Sequence, residues 1–252
     1  MAEPLLKVEG LRKSFGGVLA TDDLDLAVAP GEIYAVIGPN GAGKTTLISQ
    51  LSGALRSDAG RILFAGRNVT RLGPPARAHL GLARTFQITS IFHEFTALDN
   101  VALAVQAHDG HSFRFWRAAR GERRLREPAM EALERVGLAG RADATARFLS
   151  HGEHRQLEIA MALATEPRML LLDEPMAGMG PDESARMVDI LYGLKGGQTI
   201  LLIEHDMDAV FALADRITVL VYGRAIATGA PDEIRANEEV RTAYLGTEGV
   251  SS

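Results

Sequence analysis

Short apolar runs, rich in Val, Ile and Leu, recur along the chain and set its predicted elements. The runs are Leu5–Val8, Leu24–Val28, Ile33–Ile37, Ile62–Phe64, Leu82–Phe86, Met169–Leu172, Thr199–Ile203, Ile217–Val221 and Ala225–Ala227. Little more than turns separates the first few runs and the last two, which predicts antiparallel pairing there. Longer helical patterns lie between the central runs, which predicts parallel strands joined by crossovers.

The middle of the chain has a different pattern, with apolar residues at helical spacing. One helix is predicted to begin near Glu127-Pro128, and a second covers Glu153–Ala164. We interpret residues 88–164 as a helical subdomain inserted into a single α/β domain that spans residues 1–252. In the C-terminal tail, Pro231–Ile234 reads as another helix start.

Composition narrows the class of protein. The 252 residues are 46% hydrophobic and 23% charged, which is ordinary for a soluble globular chain. A net charge of −5 argues against nucleic acid as the main partner, because the backbone field would repel it. The chain has no cysteine, which excludes disulfides and thiol chemistry. No signal peptide is recognised at Met1–Pro4, and no apolar run is long enough to cross a bilayer. We therefore expect a soluble protein whose membrane association goes through a partner.

A glycine-rich loop carries the most specific chemistry. Residues Gly38–Thr46 fit the pattern G-x-x-x-x-G-K-[ST], between the apolar run Ile33–Ile37 and a helical pattern. Glycines allow tight turns in which backbone N–H groups point at phosphate oxygens. Lys44 would reach the β- and γ-phosphates, and Thr45 would ligate Mg²⁺. The predicted phosphate-binding residues are Asn40, Gly41, Gly43, Lys44, Thr45 and Thr46. The chain is therefore predicted to bind a nucleoside triphosphate.

Three further positions follow predicted strands, where ligands of parallel sheets bind. Asp173 and Glu174 end the run Met169–Leu172, so Asp173 is predicted to hold Mg²⁺ and Glu174 to polarise the attacking water as general base. His205 follows Thr199–Ile203, where a neutral imidazole would donate to the γ-phosphate.

Gln87 and a short polar segment complete the candidate site. Gln87 follows Leu82–Phe86, where its amide would contact Mg²⁺ or the attacking water. Ser150 and Gly152 precede the helix Glu153–Ala164, and a hydroxyl, a glycine N–H and a helix N-terminus form a second anion site. Ordinary helix capping remains the alternative for this segment. A second site of this kind makes most sense if it serves the nucleotide of another molecule.

These motifs, in this order, resemble the nucleotide-binding subunit of an ATP-binding cassette (ABC) transporter. The resemblance covers nearly the whole chain and implies a P-loop NTPase core with a mixed sheet, a parallel centre, antiparallel N-terminal strands and an inserted helical subdomain. It implies a head-to-tail dimer in which Ser150 and Gly152 contact ATP bound by the opposite subunit. It also implies that Phe15 stacks on adenine, although packing at a strand end would explain Phe15 equally well.

Finer features resemble the branched-chain (hydrophobic) amino acid uptake branch. They are Phe95–Val101, Gly152–Ala160, Gly223–Gly229 and Tyr244–Gly246. That branch implies two transmembrane permease subunits, an identical or sibling ATPase subunit, and an extracytoplasmic solute-binding protein that acts indirectly. The chain would then sit on the cytoplasmic face of the inner membrane as a peripheral ATPase with ATP and Mg²⁺ as cofactors. Importers of urea, amides or aromatic acids share much of the pattern and remain alternatives.

Two departures from the family pattern stand out. His151 and Glu153 occupy places where the commonest pattern has Gly and Gln, and Gly180 stands where many relatives have Asp. The second departure puts coupling through that carboxylate in doubt. A non-transport ABC ATPase acting on nucleic acid or ribosomes, and a small-molecule kinase, are the competing classes. The acidic balance opposes the first, and the Ser150–Gly152 segment opposes the second.

Overall fold

The computed structural model describes residues 3–85, 91–108 and 123–248, the last five without their side chains. These residues form two compact units. The first contains residues up to 77, 171–174 and the chain from 195 onward, whereas the second contains 78–170 and 175–194.

The N-terminal strands form an antiparallel sheet of their own in the first unit. β1 (Leu6–Phe15) pairs with β2 (Val18–Val28) on one side and with β4 (Ala59–Phe64) on the other. The short strand β5 (Arg67–Asn68) completes the order β2-β1-β4-β5. Both long strands extend beyond the apolar runs, and most of the added residues are exposed or half-buried, where a strand tolerates polar side chains.

The central sheet of the first unit contains the buried apolar runs. Its strands are β3 (Ile33–Ile37), β7 (Met169–Asp173), β8 (Thr199–Ile203), β9 (Arg216–Val221) and β10 (Arg224–Gly229), in the order β10-β9-β3-β8-β7. The strand β6 (Leu82–Arg84) belongs to the second unit. β3 is parallel to β8 and β9, whereas β10 is antiparallel to β9. Every residue of β3 and β8 is buried, which explains their continuous apolar sequence.

The helices divide between the units. In the first unit lie α1 (Lys44–Ser52), most of α2 (Pro74–His79), α7 (Met207–Leu213), α8 (Pro231–Ala236) and α9 (Glu238–Glu248). The second unit contains α3 (Ala97–His108), α4 (Arg123–Arg135), α5 (His151–Leu163) and α6 (Pro181–Leu194). Within the described residues, no helix has the length and apolar character needed to cross a membrane.

Arg77 fixes the C-terminal end of α1. Its side chain is almost fully buried, and it donates to the carbonyls of Gln50 (2.7 Å), Leu51 (2.6 Å), Thr70 (3.0 Å) and Leu72 (2.9 Å). Burial lowers the pKa of Arg77 to about 10, so the guanidinium is still charged at neutral pH. A cation at the negative end of the helix dipole completes the carbonyl contacts that the last turn lacks.

The fold class is confirmed, including the parallel centre and the antiparallel pairs at both ends of the chain. The predicted start of a helix near Glu127 is wrong. Pro128 lies inside α4, which already includes Arg123. Leu125, Ala129 and Leu133 share the buried face, so the apolar pattern continues upstream of the proline, and the helix accommodates Pro128.

Candidate functional site

The phosphate-binding loop joins β3 to α1 as predicted. Gly41 and Gly43 both adopt left-handed backbone conformations, and Gly43 is the residue before the first turn of α1. The amides of Lys44, Thr45 and Thr46 have no intrahelical acceptor, because they begin the helix. Asn40, Gly41 and Thr45 are exposed. The loop therefore presents free donors and the positive end of a helix dipole to solvent.

The side chain of Lys44 folds back onto the phosphate-binding loop. Its side chain is mostly buried, and Nζ donates to the carbonyls of Gly38 (2.6 Å) and Pro39 (3.1 Å). Burial lowers the pKa of Lys44, while the nearby charges of Glu174 and Asp173 act in the opposite direction. The structure thus brings the lysine and both predicted carboxylates into one electrostatic site.

The back of the loop is held by close backbone packing. A Cβ atom at Gly43 would stand 2.1 Å from the Ala20 carbonyl oxygen, so only glycine fits there. The amide of Gly223, in the turn between β9 and β10, donates to the Ala42 carbonyl (2.9 Å). The carbonyl of Gly223 in turn accepts from the amide of Asp22 on β2 (2.9 Å). The turn and β2 therefore fix the loop from behind.

Glu174 follows β7 with an unusual backbone. Its φ is +49°, in the left-handed region that residues other than glycine adopt at a cost of about 1 kcal/mol. Its amide donates to the carbonyl of Ile203 at the end of β8 (2.9 Å). Asp173 and Glu174 thus stand at the same edge of the sheet as the end of β8. Strain at a half-exposed carboxylate beside the loop supports a functional role for it.

His205 lies between two carboxylates. Its Nδ1 is 4.0 Å from Glu174 Oε1 and 3.7 Å from Glu204 Oε2, while its backbone amide donates to Glu204 Oε2 (3.0 Å). The Glu204 side chain is fully buried. In the sequence, only the position of Glu204 beside His205 indicates a role for it. The buried carboxylate fixes the segment that presents the imidazole.

Phe15 lies at the end of β1, where half of its side chain is exposed. Lys13 Nζ is 5.4 Å from the centre of the ring. The ring is thus not packed into the core, and it is accessible to a planar group. Gln87 lies outside the described residues.

Ser150 and Gly152 form the start of α5 in the second unit. Ser150 is the N-cap: its Oγ accepts from the Glu153 amide (3.2 Å), and Glu153 Oε2 accepts from the Ser150 amide (2.8 Å). This reciprocal pair is a capping box. His151 Nε2 is 3.1 Å from the Ala177 carbonyl, so the first departure from the family pattern contacts the segment that leads to Gly180.

Known proteins are similar to the chain over nearly its full length. The family described as "ABC transporter" matches residues 21–177, and the family "Branched-chain amino acid ATP-binding cassette transporter" matches residues 226–250. The high-affinity branched-chain amino acid transport ATP-binding protein LivG of Escherichia coli K12 is 40% identical, over 98% of this chain and 99% of its own.

A relative with a different name and a solved structure complete the comparison. The daunorubicin resistance ATP-binding protein DrrA3 of Streptomyces coeruleorubidus is also 40% identical, over 94% of this chain and 71% of its own length. The ADP conformation of an ATP-binding cassette from an ABC transporter superposes with a TM-score of 0.85 at 32% identity, covering 97% of this chain and all of that one. The chain belongs to the ABC transporter family, as one of its ATP-binding ATPases.

Proposed function

We propose that the chain is the ATP-hydrolysing subunit of an importer for branched-chain or other hydrophobic amino acids. The observation that carries the proposal is the end-to-end similarity to LivG, joined to the separate match of residues 226–250. The ADP-bound structural relative supports nucleotide binding by the same fold. DrrA3, at the same identity, lies in the same family under a drug-resistance name, so the C-terminal match decides between the two.

The residues that would bind and cleave the nucleotide all belong to the first unit, apart from Gln87. Asn40, Gly41, Gly43 and Thr46 would contact the phosphates, Lys44 would turn from the Gly38 carbonyl to the β- and γ-phosphates, and Phe15 would stack on the base. Thr45, Gln87 and Asp173 offer the oxygen donors that Mg²⁺ prefers. The ion would neutralise charge on the phosphates.

Glu174 and His205 would act on the reacting atoms. The half-exposed Glu174 carboxylate would accept a proton from the attacking water, which raises the nucleophilicity of that water. The His205 imidazole would donate to the γ-phosphate, held by the segment that buried Glu204 fixes. Gln87 is proposed to sense the γ-phosphate.

The second anion site implies a dimer. Exposed Ser150 and buried Gly152 lie at the start of α5 in the second unit, and we propose that they contact ATP held by another ATPase subunit, identical or sibling. Two permeases would anchor the pair at the cytoplasmic face of the inner membrane. The region at about 88–164, which we propose as the helical subdomain, would transmit the stroke. A solute-binding protein would deliver the solute to the permeases.

The proposed function is tested by identifying the proteins that purify with the chain and by measuring leucine uptake. Tagged chain is purified from its native membranes in mild detergent, and leucine uptake is measured in cells that lack the chain and are complemented with wild type or Glu174→Gln. We expect two multi-spanning permeases and leucine uptake with wild type only. If cells that lack the chain still take up leucine but no longer take up urea, an amide or an aromatic acid, then that compound is the solute. Ribosomal partners without permeases would overturn the transport function.

A further inference from the structure

A carboxylate from another helix lies against the predicted second anion site. Glu183, in the first turn of α6, accepts a hydrogen bond from Ser150 Oγ through its Oε1 (3.2 Å). The same oxygen lies 2.9 Å from the position that a Cβ atom at Gly152 would take. The two residues that the sequence singles out for phosphate contact are thus both covered by one carboxylate of the same chain.

The hydroxyl of Ser150 has no further proton to give. A serine hydroxyl has one hydrogen to donate and two lone pairs to accept with. In the structure its oxygen accepts from the Glu153 amide, and its hydrogen is directed to Glu183. Phosphate oxygens accept hydrogen bonds and cannot donate them unless protonated. A phosphate can therefore bind Ser150 only if the hydroxyl leaves Glu183.

Charge gives the same result as the hydrogen bonds. A carboxylate and a nucleotide phosphate are both anions, so a phosphate that approached Ser150 and Gly152 would be repelled by Glu183 at short range. Glu153 does not compete in this way, because its oxygens are engaged by the Ser150 amide and by Arg141 Nε (3.0 Å). Glu183 is the carboxylate that an arriving phosphate has to displace.

We propose that Glu183 lowers the affinity of the Ser150–Gly152 site for phosphate by occupying it in the free chain, and so sets the ATP concentration at which two subunits associate. This rests on the proposed function, in which that site contacts the nucleotide of the other subunit. In a symmetric head-to-tail dimer, Glu183 would oppose association at two places, because each subunit contributes one such site.

The experiment uses the full chain with Glu174→Gln, in which slow hydrolysis lets an ATP-bound dimer accumulate. Light scattering gives the ATP concentration at half dimerisation for this parent, and for the same chain with Glu183→Gln or Glu183→Ala. Asp182→Asn is the matched control, because it removes the same charge from the same helix turn without touching Ser150. Thermal unfolding and binding of a fluorescent ATP analogue are measured for each protein.

We expect Glu183→Gln to dimerise at an ATP concentration at least about threefold lower, since like charges at an interface oppose association. Glu183→Ala, which also frees the Ser150 hydroxyl, should dimerise at a lower concentration still, while Asp182→Asn should match the parent. An equal or higher ATP requirement for both Glu183 variants would overturn the inference and leave the proposed dimer intact. If no protein dimerises although all bind nucleotide, the dimer and this inference both fail.

Discussion

At the scale of single residues, Glu174 offers the sharpest test of the chemistry. Glu174→Gln should retain ATP binding and lose about 10²- to 10⁴-fold in turnover, because the amide cannot accept the proton of the attacking water. Phosphate release at saturating ATP measures this. Glu166→Gln is the control: Glu166 is an exposed residue with nearly the same φ, +48° against +49°. Undiminished hydrolysis in Glu174→Gln would remove Glu174 from the mechanism.

Lys44 contributes to nucleotide binding through its charge. Lys44→Ala should weaken ATP binding by about 10- to 100-fold, the range expected for losing a charge-assisted hydrogen bond of about 1.5–3 kcal/mol. Calorimetric titration measures the affinity. Lys7→Ala, which removes an exposed lysine paired with Glu9, should leave it unchanged. Equal affinity in the wild type and Lys44→Ala would contradict the assignment of the loop.

The sequence predicted the residues of the site better than the contacts that hold them. Lys44 belongs to a contiguous loop motif, and Asp173 and His205 come at the ends of apolar runs, so the sequence alone indicates where they lie. Glu204, Glu183 and Arg77 were not recognised. Their partners are backbone groups or side chains that only the folded chain brings near, and a lone Glu or Arg in a helix or strand carries no signal of that kind.

At the scale of elements, the turn between β9 and β10 supports the phosphate-binding loop. Gly223→Ala should destabilise the protein by about 2 kcal/mol and weaken ATP binding, because φ at Gly223 is +79° and a Cβ atom would lie 2.9 Å from the Ala20 backbone. Urea unfolding and ATP titration measure both effects. Gly73→Ala is the control, since a Cβ atom there meets nothing within 4 Å. A variant with unchanged affinity for ATP would show that the loop holds its shape without the turn.

The boundaries of elements were less predictable than their order. The pairing of strands followed from connection length, and β3 and β8 have the predicted limits. β1 and β2 are longer than their apolar runs, because half-exposed strand positions tolerate polar residues. In α4, burial of the apolar face outweighs the tendency of Pro128 to begin or break a helix, so the helix includes residues on both sides of the proline.

At the scale of the whole molecule, the phosphate-binding loop, Asp173, Glu174 and His205 all belong to the first of the two units. ATP at 100 times its dissociation constant should stabilise the folded state of the region that binds it by about 2.7 kcal/mol. Hydrogen exchange with and without ATP should therefore slow in the loop, β3 and the end of β8, and change little in α4. Equal slowing in the loop and in α4, at a protein concentration too low for dimers, would contradict the assignment of nucleotide binding to the loop.

The path of the chain between the two units also limits how this protein can be recombined. The chain passes between them after residues 77, 170, 174 and 194, so the four residues 171–174, which end in Glu174, interrupt the second unit in sequence. A gene segment for the second unit cannot be exchanged in one piece without also exchanging Asp173 and Glu174, the two carboxylates proposed to act on the nucleotide. Exchanges between relatives should therefore succeed when residues 171–174 are exchanged together with the second unit. The chemistry of the site would then be inherited together with that unit.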